Sequence, residues 1–116
     1  MKKRLNLVLN GKGGVGKSLI AVNLVQFLKD RGLPHVAIDS DNSTLKRFHP
    51  DARFLDLAAP RELDTLFAAL DKTPVVVTDC RAASTDLFLD YFTEIDLASV
   101  LSALDAALTL VMPVNH

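Results

Sequence analysis

Leu5-Asn6-Leu7-Val8-Leu9 runs through Asn10 into Gly11-Lys12-Gly13-Gly14-Val15-Gly16-Lys17-Ser18, and then into Leu19-Ile20-Ala21-Val22. The first five residues read as a short, mostly apolar strand of the kind buried in a parallel sheet. The glycines that follow interrupt any regular element. From Ser18 to Arg31 the residues Leu19, Ile20, Val22, Val25, Phe27 and Leu28 spread around much of a helix. Gly32 is placed as its C-terminal stop, with Pro34 two residues on. Strand, glycine loop and helix in that order predict a unit of a parallel α/β sheet.

The rest of the chain repeats the alternation. His35 to Asp39 reads as a second strand, Thr44 to Phe48 as a short helix within a polar stretch, and Phe54 to Leu57 as a minor third strand. Pro60 opens a helix in which Leu63, Leu66, Phe67 and Leu70 share one face, and Pro74 prevents its continuation. Val75-Val76-Val77-Thr78-Asp79 is the strongest strand signal. Thr85 to Phe92 and Glu94 to Asp105 read as helices, the second with Ile95, Ala98, Leu101 and Leu104 inward, before a last strand at Ala107 to Val111. The predicted fold class is α/β, a mostly parallel sheet with helices on both faces. Ligands of such sheets sit beyond the carboxyl ends of the strands, which here means just after Leu9, Asp39 and Asp79.

Composition narrows the function classes. The chain has 116 residues, 49% of them apolar, and a net charge of −1, so it can bury a core and has no global charge bias toward nucleic acid or anionic membrane. Its single cysteine, Cys80, cannot form an internal disulfide, which points to a reducing, cytoplasmic setting. His35, His49, His116 and Cys80 lack metal-ligand spacing. The basic start at Met1-Lys2-Lys3-Arg4 precedes too short an apolar run for a signal peptide. Leu97 to Val114 carries one charge, Asp105, which would cost about 2.5–3.5 kcal/mol at a bilayer centre. A buried helix followed by a buried strand is the expectation there, with no membrane partner.

Gly11 to Ser18 matches the P-loop pattern of glycine, four residues, glycine, lysine and serine. The glycines let successive N–H groups turn toward phosphate oxygens, and the following helix, expected to begin at Lys17, adds its own free N–H groups. Lys17 is suited to bridge β- and γ-phosphates and the Ser18 hydroxyl to ligate Mg²⁺. Gly11, Gly13 and Gly16 also satisfy the dinucleotide spacing, with Asp39 where a ribose-binding acid would stand. The lysine and serine after the last glycine favour the triphosphate reading, and a purely structural glycine turn is the third possibility. Val75 to Asp79 then reads as the strand that delivers a carboxylate, Asp79, beside Mg²⁺.

Lys12-Gly13-Gly14-Val15-Gly16-Lys17-Ser18 resembles the deviant Walker A motif of the ParA/MinD-type ATPases, the CobQ/CobB/MinD/ParA nucleotide-binding family. The mark of that motif is the extra lysine, here Lys12. The resemblance implies that Lys12 reaches across an ATP-bound homodimer to the partner's phosphates; the alternative is a solvated loop lysine. Val36-Ala37-Ile38-Asp39-Ser40-Asp41 is similar to the family's strand ending in Asp-x-Asp. That likeness gives Asp41 the attacking water and Asp39 the Mg²⁺ or its water shell. Two acids so close are costly without a cation between them, although Asp-Ser-Asp-Asn-Ser is equally a turn that caps the next helix. After Asp79 the family's small residue and prolines are replaced by Cys80-Arg81-Ala82-Ala83-Ser84, a variant similar to plasmid stability and mobilisation ATPases of the StbB/MobD type. Arg81 either senses the γ-phosphate or pairs with a nearby acid, and Cys80 reads as a buried small residue.

Residues 1–116 are thus expected to form a single P-loop nucleotide-binding domain. It is incomplete at its C-terminus, since family domains run longer, and Leu108 to Val111 should form an exposed apolar edge. The implied cofactors are ATP and Mg²⁺, and the implied partners a homodimer mate and an activating or adaptor protein. DNA is only weakly supported, because the relatives' basic residues lie late in the domain. The implied role is an Mg-ATP-dependent switch ATPase serving plasmid partition, stability or transfer. A non-hydrolysing nucleotide-binding module is the alternative. A P-loop GTPase is disfavoured by the missing glycine three residues after Asp79.

Overall fold

The computed structural model describes residues 3–8, 15–40, 44–56, 63–80 and 85–111. They form β1 (Lys3–Val8), α1 (Val15–Asp30), β2 (Val36–Asp39), α2 (Thr44–Phe48) and β3 (Arg53–Phe54). After these come α3 (Asp64–Lys72), β4 (Val75–Asp79), α4 (Thr85–Glu94), α5 (Leu97–Leu104) and β5 (Ala106–Val111). The five strands make one sheet in the order β3-β2-β4-β1-β5, every pair parallel. This is the α/β architecture that the alternation of strands and helices predicts, and it is P-loop NTPase-like, as the resemblance implies.

Side-chain alternation along the strands divides the core between two faces. Leu5, Leu7, Ile38 and Val76 turn to one face, where Leu63, Leu66, Phe67 and Leu70 of the α3 region and Phe88 and Tyr91 of α4 cover them. Val8, Ala37 and Val77 turn to the other, against Ala21, Val22, Val25 and Leu28 of α1 and Leu45 of α2. Each fully buried leucine contributes about 1.5–3 kcal/mol, so the four α3-side residues read from periodicity are a main anchor of their helix.

Gly32 ends α1 as expected. Its φ of 65° is left-handed. The Gly32 N–H donates to the Lys29 carbonyl at 3.1 Å and the Leu33 N–H to the Leu28 carbonyl at 3.0 Å. That pairing is a Schellman motif, which satisfies two terminal carbonyls of the helix.

Four expectations need correction. α1 begins at Val15, not Lys17; first-turn N–H groups have no intrahelical partner in any case, so Gly16 there forfeits little. The third strand is Arg53–Phe54, because its ladder reaches only Ile38 and Asp39 of β2; of the expected Phe54 to Leu57, Leu55 and Asp56 are not in a strand and Leu57 lies outside the described residues. Asp96 adopts a left-handed φ of 52°, which splits the last helical stretch and re-phases α5. Leu97, Val100, Leu101 and Leu104 consequently pack on the core, and Ala98 is exposed. Finally, α5 and β5 are half-buried rather than buried: no α5 residue is fully covered, and edge strand β5 leaves Leu110 51% exposed. Among the described residues no helix is long and apolar enough to cross a membrane.

Candidate functional site

The sheet order places the three strands that carry candidate chemistry side by side, as β2-β4-β1. Their registers bring three residues into one row, since Asp39 lies opposite Asp79 and Asp79 opposite Val8. Neighbouring strands lie about 4.8 Å apart. In-register residues of parallel strands face the same way, and Val8 packs on the α1 side. Asp39 and Asp79 therefore share that face, and both are fully buried.

Backbone hydrogen bonds continue past the ends of the strands and fix this rim. The Ser40 N–H and Oγ–H both donate to the Asp79 carbonyl, at 3.0 and 2.8 Å. The Cys80 N–H donates to the Val8 carbonyl at 3.0 Å and the Leu55 N–H to the Asp39 carbonyl at 3.2 Å. Cys80 is buried, as its reading from the sequence predicts.

Asp39 also serves the fold. Its Oδ2 accepts the Lys46 N–H of α2 at 3.1 Å, which gives the first turn of that short helix an acceptor it would otherwise lack. The helix-capping alternative for this acidic turn thus applies to Asp39 itself. Beneath the rim, Asn6 is buried and donates through Nδ2 to the Val76 carbonyl at 3.3 Å.

The glycine loop follows β1, which stands at one end of this row, and α1 begins at Val15. Val15, Gly16, Lys17 and Ser18 form the first turn of α1, so their N–H groups stand where a helix N-terminus receives an anion. Gly11, Lys12, Gly13, Gly14, Asp41 and Arg81 lie outside the described residues. Among the described residues no three His, Cys, Asp or Glu side chains gather. Asp39 and Asp79 are, among the described residues, the two carboxylates that the sheet brings side by side.

Two groups of tertiary contacts that hold the frame were not readable from sequence. His49, 3% exposed, donates from Nε2 to the Val22 carbonyl at 3.1 Å and accepts the Lys29 ammonium at Nδ1, also at 3.1 Å. A carbonyl only accepts and an ammonium only donates, which sets the tautomer. Lys29 reaches Asp51 as well, at 2.8 Å, and that bond holds the Asp51 carboxyl below its usual range. Together these contacts bind the α2–β3 turn to α1. On the other face, the Tyr91 hydroxyl donates to the Asp64 carboxylate and ties α4 to the start of α3. Burial, then the bond to Asp64, pushes the Tyr91 pKa well above its usual 10.

Comparison with known proteins agrees with this geometry. The family model of the CobQ/CobB/MinD/ParA nucleotide binding domain matches residues 7–109. Protein TraL of Escherichia coli is 33% identical over 97 residues, covering 77% of this chain and 40% of its own length. A second Escherichia coli protein TraL is 40% identical over 47 residues, 39% of this chain and 20% of that relative. The chain thus spans less than half the length of either relative. No solved structure matches it.

Proposed function

The chain belongs to the CobQ/CobB/MinD/ParA nucleotide-binding family, and from that membership we propose that it is an Mg²⁺-ATP-dependent switch ATPase whose nucleotide-bound form is a homodimer. The observation that carries this reading is the row Val8–Asp79–Asp39. It sets two buried carboxylates on the α1 face of the strands, level with the point where β1 gives way to the P-loop.

In this reading the N–H groups of Gly13 to Ser18 and the Lys17 ammonium grip the β- and γ-phosphates. Lys12 extends to the phosphates held by the partner copy and so makes closure depend on a triphosphate. Ser18, Asp79 and Asp39 would hold Mg²⁺, with Asp39 on the metal or on its water shell. When bound, Mg²⁺ neutralises charge developing on the phosphate oxygens. Asp41 orients the attacking water, and loss of the γ-phosphate removes what Lys12 binds, which releases the dimer. The bonds from Ser40 and Cys80 keep the carboxylate-bearing strand ends in place without taking part in the chemistry.

The family likeness supports a cargo-positioning role such as plasmid partition, stability or transfer, in a cytoplasmic setting and with an activating or adaptor protein as stimulus. The test is phosphate release by the wild type, Lys17→Ala and Asp41→Ala, each shown by circular dichroism to be folded. Release by the wild type and its loss in both variants is expected. Equal release from all three would sink the assignment. Binding of a fluorescent ATP analogue without turnover would instead favour a non-hydrolysing nucleotide-binding module.

A further inference from the structure

The segment from Thr44 to Leu55 follows β2 and links one of the two buried acids to α1. Two bonds tie it to that acid. The Lys46 N–H donates to Asp39 Oδ2 at 3.1 Å, and the Leu55 N–H donates to the Asp39 carbonyl at 3.2 Å. Midway along the segment stands His49, which is buried. Its Nε2 donates to the Val22 carbonyl and its Nδ1 accepts the Lys29 ammonium, and both partners belong to α1. Val22 lies about 10 Å along that helix from Val15, at a rise of about 1.5 Å per residue. The histidine therefore ties α2 to the same rigid element whose first turn continues the glycine loop.

These bonds do what packing alone cannot. α2 has five residues, too few to hold a helix in isolation. Leu45 draws it into the core on the α1 side, but apolar burial is non-directional. Hydrogen bonds weaken steeply off line, so a ring bonded at both nitrogens fixes how α2 is turned and shifted on α1. His49 is also bound into the end of α2, its own N–H donating to the Leu45 carbonyl at 2.8 Å. The place of the ring thus sets the place of the adjoining turn, and with it the Lys46 N–H that holds one oxygen of the Asp39 carboxylate. Lys29 adds a second link between the segment and α1 through Asp51.

We propose that His49 is a positioning residue for Asp39: by docking α2 on α1 it fixes where that carboxylate stands relative to the phosphate-binding end of the helix, and so the affinity of the site for Mg²⁺. This rests on the reading of the site as one for Mg²⁺-ATP. His49 acts through α2 and the Lys46 N–H, with no part in the chemistry. Losing an outer partner of a metal-binding group costs about 10- to 100-fold in metal affinity. His49 stands one step further out, so about tenfold is expected.

The experiment uses calorimetry to measure ATP affinity in EDTA and then across Mg²⁺ concentrations, for the wild type, His49→Leu and Lys29→Met. Affinity in EDTA should be equal in all three, because it belongs to the glycine loop and the start of α1. The Mg²⁺ concentration that half-completes the tightening should rise about tenfold in His49→Leu. Lys29 is exposed, so Lys29→Met keeps the test open should His49→Leu fail to fold; its midpoint should rise in the same direction, less far. In nucleotide-free protein, hydrogen exchange of the Lys46 amide should quicken in His49→Leu. In an Asp39→Asn background the His49 substitution should add nothing, because it works through that carboxylate. Equal weakening with and without Mg²⁺ would mean a merely structural role and would overturn the proposal, as would unchanged Lys46 exchange or additive effects in the double variant. A wild type that responds to Mg²⁺, with variants whose midpoint stays put, would overturn the proposal alone. A wild type whose ATP affinity ignores Mg²⁺ would refute the Mg²⁺-ATP reading and the proposal with it.

Discussion

Tyr91 is the chain's single tyrosine, and there is no tryptophan, so tyrosinate absorbance reports one hydroxyl without interference. Tyr91 is buried as a residue, and its hydroxyl donates to the Asp64 carboxylate across the gap between α4 and α3. Burial first, then the hydrogen bond and the charge of Asp64, raise its pKa above 10. The unfolded chain gives up this proton near pH 10 while the folded chain keeps it. Tyr91 therefore contributes stability that is fully present below pH 10 and is lost as pH rises toward the folded-state value. The slope of that loss is about 1.4 kcal/mol per pH unit, a sizeable share of a total near 5–15 kcal/mol for a domain. Absorbance and far-ultraviolet circular dichroism followed together through alkaline pH provide the assay. Tyrosinate should appear only as helical signal disappears. Tyr91→Phe should cost about 1 kcal/mol at neutral pH, because exposed Asp64 regains water, and should make the alkaline decline shallower. A tyrosinate transition centred near pH 10 in a chain whose circular dichroism has not changed would refute the reasoning.

Other outcomes follow from the same packing. Gly32→Ala meets nothing within 4 Å of the added Cβ, so its cost is conformational: about 1–2 kcal/mol for the left-handed backbone, less about 0.4–1 kcal/mol gained by stiffening the unfolded chain. The net loss of about 1 kcal/mol should lower the melting temperature by about 4 °C, and Gly32→Asn should lower it less. Leu66→Ala, at a fully buried position, should cost about 2–5 kcal/mol in urea unfolding, whereas a loss under 1 kcal/mol would mean that α3 is not packed as described. Asp51, held below the usual carboxylate range mainly by its bond from Lys29, supplies stability above that range which fades as pH falls through the lowered value. Asp51→Asn should make the acid limb of a stability titration slightly shallower, the effect being small at so exposed a pair.

Local signals in the chain foretold much of this fold. Strand alternation, the apolar spacing from Leu63 to Leu70, and the Gly32 stop are contained in a few neighbouring residues, and the elements they predict are present. Boundaries failed where a decision depended on distant contacts. The length of β3 is set by how far β2 can pair with it. The start of α5 depends on the left-handed turn at Asp96, which no glycine announces, and with it goes the difference between Ala98 inward and Val100 inward. At the candidate site, Asp39 and Asp79 could be read from the sequence as strand ends near a glycine-rich loop. That they stand next to each other could not, because their adjacency comes from the sheet order, which inserts β4 between β1 and β2. Nor could spacing reveal that Asp39 receives an α2 N–H, or that Lys29, His49 and Val22 meet, since those contacts join elements brought together only by folding.

If the glycine loop after β1 grips a polyphosphate, calorimetric titration of Mg²⁺-ATP into the wild type and into Lys17→Ala will show it. Saturable binding by the wild type is predicted, weakened about 10- to 150-fold in Lys17→Ala by loss of a charge-assisted contact of about 1.5–3 kcal/mol, with the fold of the variant unchanged. Absence of binding by a folded wild type, or equal affinity in the two proteins, would contradict it.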